Sequence, residues 1–214
     1  VTDKTKQGQA VETLYYYKHN YHNLSKDAQV IIKPYLLRPN DTNSYYQAIY
    51  GTEVNDNKTS WVDTAYAQEA RPAFNKFIIT ADDKIKVWYP EITVKSGGKT
   101  KKVKLYEAQA KKVVAVFNES KAYAKFKKLL GIDAPSDGTL GGDSRVDVYL
   151  VDKYNSLLKI GAGFNADGTV ISDIAYSKNK GSQPSSFVAI NAELSDKDFK
   201  STAVHELFHI FQDN

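Results

Sequence analysis

The chain has no cysteine and no methionine, and its 29 basic residues include only three arginines, at 38, 71 and 145. Without cysteine there is no disulfide and no thiolate ligand, so a zinc site here would rest on histidine and carboxylate groups. Scarce arginine argues against a nucleic-acid reader, because the guanidinium fork is what grips phosphates and base edges. The lysines cluster at 95–104 and 121–128 without an interleaved aromatic platform. That pattern fits a solvated surface better than a single-strand binder. At a net charge of +4, only weak attraction to anionic wall polymers is expected. No apolar run approaches the roughly 18–20 residues of a membrane span. No signal peptide is recognisable, and the missing initiator methionine points to a processed product or an excised piece of a longer chain. Together with abundant lysine, asparagine and tyrosine, these features suggest a secreted bacterial protein, expected as a monomer.

What is present suits a globular chain, with 42% hydrophobic residues and 15 tyrosines in 214 positions. After a polar start, the spacing predicts a helix over 10–21. A second helix follows Ser25 as N-cap, carries apolar Val30, Ile31, Leu36 and Leu37, and is kinked or divided by Pro34. His19 and His22 lie three apart but lack flanking carboxylates, so they read as solvated rather than metal-binding. Short helices are expected at 43–50 and 63–71. There Tyr45, Tyr46, Tyr50, Trp61 and Tyr66 suit packing better than a carbohydrate platform. Residues 1–75 thus read as a helical N-terminal extension.

From residue 76 the pattern turns to period two. Strands are expected at 77–79 and 85–90 around an Asp82-Asp83 turn, then a lysine-rich hairpin over 92–103 turning at Ser96-Gly97-Gly98. One long helix is predicted over 105–130, with Tyr106, Ala110, Val113, Phe117, Ser120 and Ala124 as its stripe. Glu107 is placed to pair with Lys111, and Gly131 caps the end. The loop at 133–143 holds Asp133, Asp137 and Asp143, which makes calcium conceivable. Its spacing does not match a twelve-residue calcium loop, and an ordinary turn is the reading. Further strands are expected at 145–151, 170–176 and 186–191, with a turn at 165–168, before Ser195 and Asp198 open the last helix as a capping box. The whole reads as α+β, with a mixed twisted sheet, a long backing helix and a buried terminal helix.

That terminal helix carries His205-Glu206-Leu207-Phe208-His209. Positions i and i+4 lie on one helical face, so both imidazoles can reach one metal ion, and Glu206 can hold and deprotonate its water. Thr202, His205, Glu206 and His209 share a side. Val204, Leu207 and Phe211 lie opposite, with Phe199, Ala203 and Ile210 on a flank. A helix apolar on nearly every other face should be buried, and a metal would satisfy the buried polar stripe. The competing explanation is a buried helix whose histidines bond backbone carbonyls.

Residues 202–211 resemble the active-site helix of zincin metallopeptidases. More weakly, 76–214 is similar to the zincin N-terminal half-domain, in which strand, backing helix, further strands and an edge strand precede the motif helix. Gln212 stands where metzincins have glycine, so the resemblance is to the gluzincin type and to secreted bacterial metallopeptidases. It implies zinc held by His205 and His209, Glu206 as general base and a peptide or protein substrate. A third ligand, a Glu on a later helix, would lie beyond Asn214. An upstream donor such as His19, His22 or an Asp is the other route. The substrate strand is assigned to Val188, Ala189, Ile190 and Asn191 as the sheet edge. The alternative function is a non-catalytic surface or wall-binding module on a degenerate version of this fold.

Overall fold

The structure, a computed structural model, describes residues 16, 20–41, 43–44, 73–96, 99–136, 140–151, 167–173 and 185–212. The helices expected at 10–21 (apart from residues 16, 20 and 21), 43–50 (apart from 43 and 44) and 63–71 lie outside these residues. So do Tyr45, Tyr46, Tyr50, Trp61, Tyr66, His19, Asp137, the Gly97-Gly98 turn, and residues 165, 166 and 174–176. The architecture is α+β: helices α1 (Lys26–Leu36), α2 (Glu107–Ser120), α3 (Ala122–Leu130) and α4 (Asp196–Gln212) accompany a mixed six-stranded sheet. Its strands are β1 (Ala73–Ile79), β2 (Ile85–Ser96), β3 (Lys99–Lys104), β4 (Val146–Val151), β5 (Gly168–Ser172) and β6 (Ser186–Asn191).

The spatial order is β1-β2-β4-β6-β5, with β3 paired to the far half of β2. β2, β4 and β6 run parallel, while β1 and β3 are antiparallel to β2 and β5 is antiparallel to β6. β2 outruns its neighbours, since pairing with β4 ends at Trp88 and pairing with β1 at Glu91. Among the described strands, residues 92–96 therefore pair with β3 alone. β4 is buried at every position and β6 at all but its last, as near-continuous apolar runs require when a strand is covered on both faces.

One face is covered by α2, α3 and α4. Ile85, Val87, Val148, Leu150, Val188 and Ile190 meet Ala110, Val113, Phe117, Phe199, Ala203, Leu207, Ile210 and Phe211 there. The expected single helix over 105–130 is in fact two. Lys121 adopts the left-handed conformation at φ 51 and breaks the run, so Ala122 and Tyr123 turn inward while Ala124 is exposed. The break lets each segment pack separately against α4. Glu107 pairs with Lys111 at 3.3 Å, and Gly131 caps α3 in the left-handed region, both as expected.

The opposite face carries buried charge. Trp88, Tyr149, Phe74 and Phe187 pack their rings together. Arg38, just after α1, lies among them with its guanidinium over Phe187. Its Nε and Nη2 donate to the two oxygens of Asp173 at 2.8 and 2.6 Å, and its Nη1 donates to Asp147. Trp88 Nε1 donates to Asp147 at 2.6 Å, and Ser185 Oγ donates to Asp173 at 2.7 Å. Asn40 accepts a bond from the Tyr149 hydroxyl at 2.8 Å. Ser25 caps α1 as expected, but Pro34 sits inside this helix, two residues before its end, rather than dividing it. Ile32 and Leu36 are buried; Val30 and Ile31 are exposed. No helix among the described residues is long and apolar enough to cross a membrane.

Ser195 caps the head of α4, but the reciprocal bond of a capping box, from the Ser195 N–H to the Asp198 carboxylate, is not among its hydrogen bonds. Ser195 Oγ accepts from the Asp198 N–H at 3.3 Å and donates to its carboxylate at 2.6 Å. Ser195→Ala should cost about 1 kcal/mol, which in a chain this size lowers the melting temperature by about 2–4 °C. An unchanged melting curve would remove the cap from the account of α4.

Candidate metal centre

Helix α4 lies on the sheet with Phe199, Ala203, Leu207, Ile210 and Phe211 driven inward, and it touches α2, α3, β5 and β6. Phe211 meets Tyr123 and Phe126 edge-on, and Phe208 tilts against Phe126, so α3 fixes the helix's far side. This packing presents Thr202, His205, Glu206 and His209 along the remaining side.

The two imidazoles converge. His205 Nε2 and His209 Nε2 stand 2.9 Å apart with the rings perpendicular. The other nitrogen of His209, Nδ1, is 2.7 Å from Gln212 Oε1, an atom that can only accept. That bond places the proton on Nδ1 and leaves Nε2 of a neutral His209 with its lone pair facing His205. A proton on His205 Nε2 can bridge the pair, and a cation can take that proton's place. Two imidazoles bound to one tetrahedral zinc have nitrogens about 3.3 Å apart, so a small rotation would seat both. The donor chemistry therefore fits zinc for two ligands. Among the described residues no group of three His, Cys, Asp or Glu is placed to hold a metal, so His22 and the described aspartates do not complete this pair. Asp143, considered for calcium, is occupied by Lys86 at 2.7 Å and Arg145 at 2.9 Å.

The polar stripe is not uniformly buried, contrary to expectation. His205 is exposed and His209 half-buried, while Glu206 is only 7% exposed. Desolvation is therefore borne by the carboxylate alone. Glu206 has no hydrogen-bond or ion-pair partner among the described residues. Burial raises its pKa above the ordinary carboxylate value, and the neighbouring His205 and His209 oppose that rise.

What covers Glu206 is β5. A Cβ built on Gly168 would lie 2.7 Å from both Glu206 Cγ and Thr202 Cγ2. Only a residue without a side chain lets the strand come this close to the helix. The reading of residues 165–168 as a turn missed this contact. An isolated glycine at the head of a strand was the available signal.

The strand assigned to substrate needs correcting. β6 is not the sheet edge: it pairs with β4 on one side and β5 on the other. Its Val188, Ala189 and Ile190 are fully buried, and Asn191 is held by the Asp167 carbonyl. Among the described strands, β5 is the outer one on this side. An uninterrupted apolar run such as 187–190 marks a central strand, covered on both faces, and was the clue against an edge.

No protein-family model, curated protein or solved structure matches this chain.

Two outcomes follow from this geometry. Gly168→Ala should destabilise the protein by about 1–3 kcal/mol, because neither the β-branched Thr202 nor the mid-chain Cγ of Glu206 can swing clear. Denaturant unfolding that matched wild type would show that strand and helix separate easily. In the metal-stripped protein, Glu206 has a raised folded pKa, so its ionisation costs stability as pH rises through the carboxylate range. Below that range it is protonated in both states and costs nothing. Glu206→Gln should therefore melt higher than wild type at neutral pH in the presence of chelator, with the gap closing in acid. A gap of the opposite sign at neutral pH would contradict a desolvated carboxylate.

Proposed function

We propose that this chain carries the motif helix of a secreted zinc-dependent endopeptidase, of the gluzincin type that this helix resembles. The supporting observation is the pair of converging Nε2 atoms beside a buried Glu206 that has no polar partner among the described residues and lies against β5 at Gly168. His205 and His209 would hold the metal through Nε2, with Gln212 beside His209 Nδ1 in the place of an outer-shell partner. The resemblance implies a Glu as third ligand, and no described residue supplies it. When bound, zinc supplies Lewis acidity, polarising the scissile carbonyl and making water acidic enough to lose a proton near neutral pH.

Glu206 is the general base. Its carboxylate takes a proton from the attacking water and returns it to the departing amine. Burial suits it to this role, since a base works best when its pKa lies near the operating pH. The peptide lies extended along β5, bound by main-chain pairing that reads little of its sequence. The close approach of β5 to Thr202 and Glu206 at Gly168 supports that choice of strand.

A second reading has one observation in its favour. The lack of a third metal donor among the described residues suits a non-catalytic surface-binding module on the same scaffold.

Zinc content and peptide hydrolysis separate the two. Glu206→Ala should retain zinc and lose about 10²–10⁴-fold in hydrolysis, whereas His205→Ala should lose both. Full hydrolysis by Glu206→Ala would falsify the mechanism, and zinc-loaded wild type that cleaves no peptide would favour the module.

A further inference from the structure

β5 has an unusual task in this fold. An outer strand has one neighbour in its sheet, yet a strand that binds a peptide by its backbone must keep its geometry when the peptide is absent. β5 pairs only with β6 among the described residues and is five residues long. Its first residue, Gly168, rests on Thr202 and Glu206 of α4. The residue just after its last, Asp173, leaves the strand and enters the buried cluster on the opposite face of the sheet.

There Asp173 is held tightly. Arg38 grips both carboxylate oxygens side-on, Ser185 Oγ donates to one of them, and the Asp173 N–H donates to the Ser185 carbonyl at 2.8 Å. The same guanidinium reaches Asp147 in the middle of β4. One side chain thus spans from the centre of the sheet, across β6, to the end of its outer strand. Arg38 and Asp147 are 4% and 1% exposed, so solvent offers no replacement for these bonds. Lysine at position 38 would keep the charge but has no planar fork to hold Asp173 and Asp147 in fixed directions.

We propose that Arg38 is a positioning residue for the peptide-binding strand: it clamps the C-terminal end of β5 through Asp173 while α4 supports the N-terminal end at Gly168. This rests on the endopeptidase reading of the site above. It also gives the segment after α1 a part in substrate binding, although no atom of Arg38 belongs to the metal-holding stripe. Loosening the clamp lets β5 move, and the peptide must then order the strand as it binds. The metal-holding helix is left as it was.

The test uses Arg38→Lys and Asp173→Asn in the full chain, because Arg38→Ala strands two buried carboxylates and removes the fold's support along with the clamp. Three quantities are read: backbone amide exchange, zinc affinity measured with the metal alone, and steady-state peptide hydrolysis. Both variants should speed exchange of the β5 amides about tenfold while those of α4 stay protected. Zinc affinity should be unchanged, and KM should rise about tenfold with kcat within about twofold of wild type. Unchanged β5 exchange in both variants overturns the proposal, as does faster exchange spread evenly over β4, β6 and α4, which marks a purely structural residue. A fall in kcat at constant KM also overturns it. Failure of the site reading is recognised separately, in wild type alone, by absent zinc binding or absent hydrolysis.

Discussion

β4 and β6 are buried on both faces, and most of the remaining architecture answers that constraint. A strand in this position must have every backbone group paired within the sheet and both sets of side chains removed from water. Helices α2, α3 and α4 meet the requirement on one face with aliphatic and aromatic packing. On the other face β4 carries an aspartate, Asp147, and β2 carries a lysine, Lys86, so apolar cover alone would leave buried charge uncompensated. The chain answers with Arg38 for Asp147 and with Asp143 and the Gly141 carbonyl for Lys86. Lys86 also lies over the Phe77 and Trp88 rings.

The candidate metal centre is a by-product of the same packing. α4 is pressed against the sheet by five inward residues, which leaves its polar side partly under β5 and partly open. The division falls between neighbouring residues: Glu206 is enclosed, whereas His205 is exposed to solvent. For metal chemistry such a split is useful. Open imidazoles can accept a metal from solution, and an enclosed carboxylate keeps its affinity for a proton.

Local elements were largely legible in the sequence. The 186–191 strand, the Ser195 N-cap, the Gly131 cap and the Glu107–Lys111 pair all follow from period, turn chemistry and helical spacing, and each is present. The HExxH spacing likewise fixed which side chains would share a face of α4. What was not legible depends on distant parts of the chain. Nothing between Ser120 and Ala122 signals a helix break, because Lys121 is held in its left-handed conformation by the packing of two helices on a third. Sheet order is also a tertiary matter, and taking β6 for the edge followed from chain order rather than pairing. Arg38 lies 109 and 135 residues from its partners, so the sequence could show only that an aspartate inside an apolar strand needed a cation.

The overrun of β2 beyond its neighbours has an electrostatic consequence. Residues 92–104 hold five lysines (95, 99, 101, 102 and 104) and no acid. Set against the net charge of +4, that leaves the rest of the chain at −1. The protein is thus a nearly neutral body with its positive charge concentrated in one two-stranded ribbon. Ionic strength would therefore alter how the molecule orients near a charged surface more than how firmly it is folded.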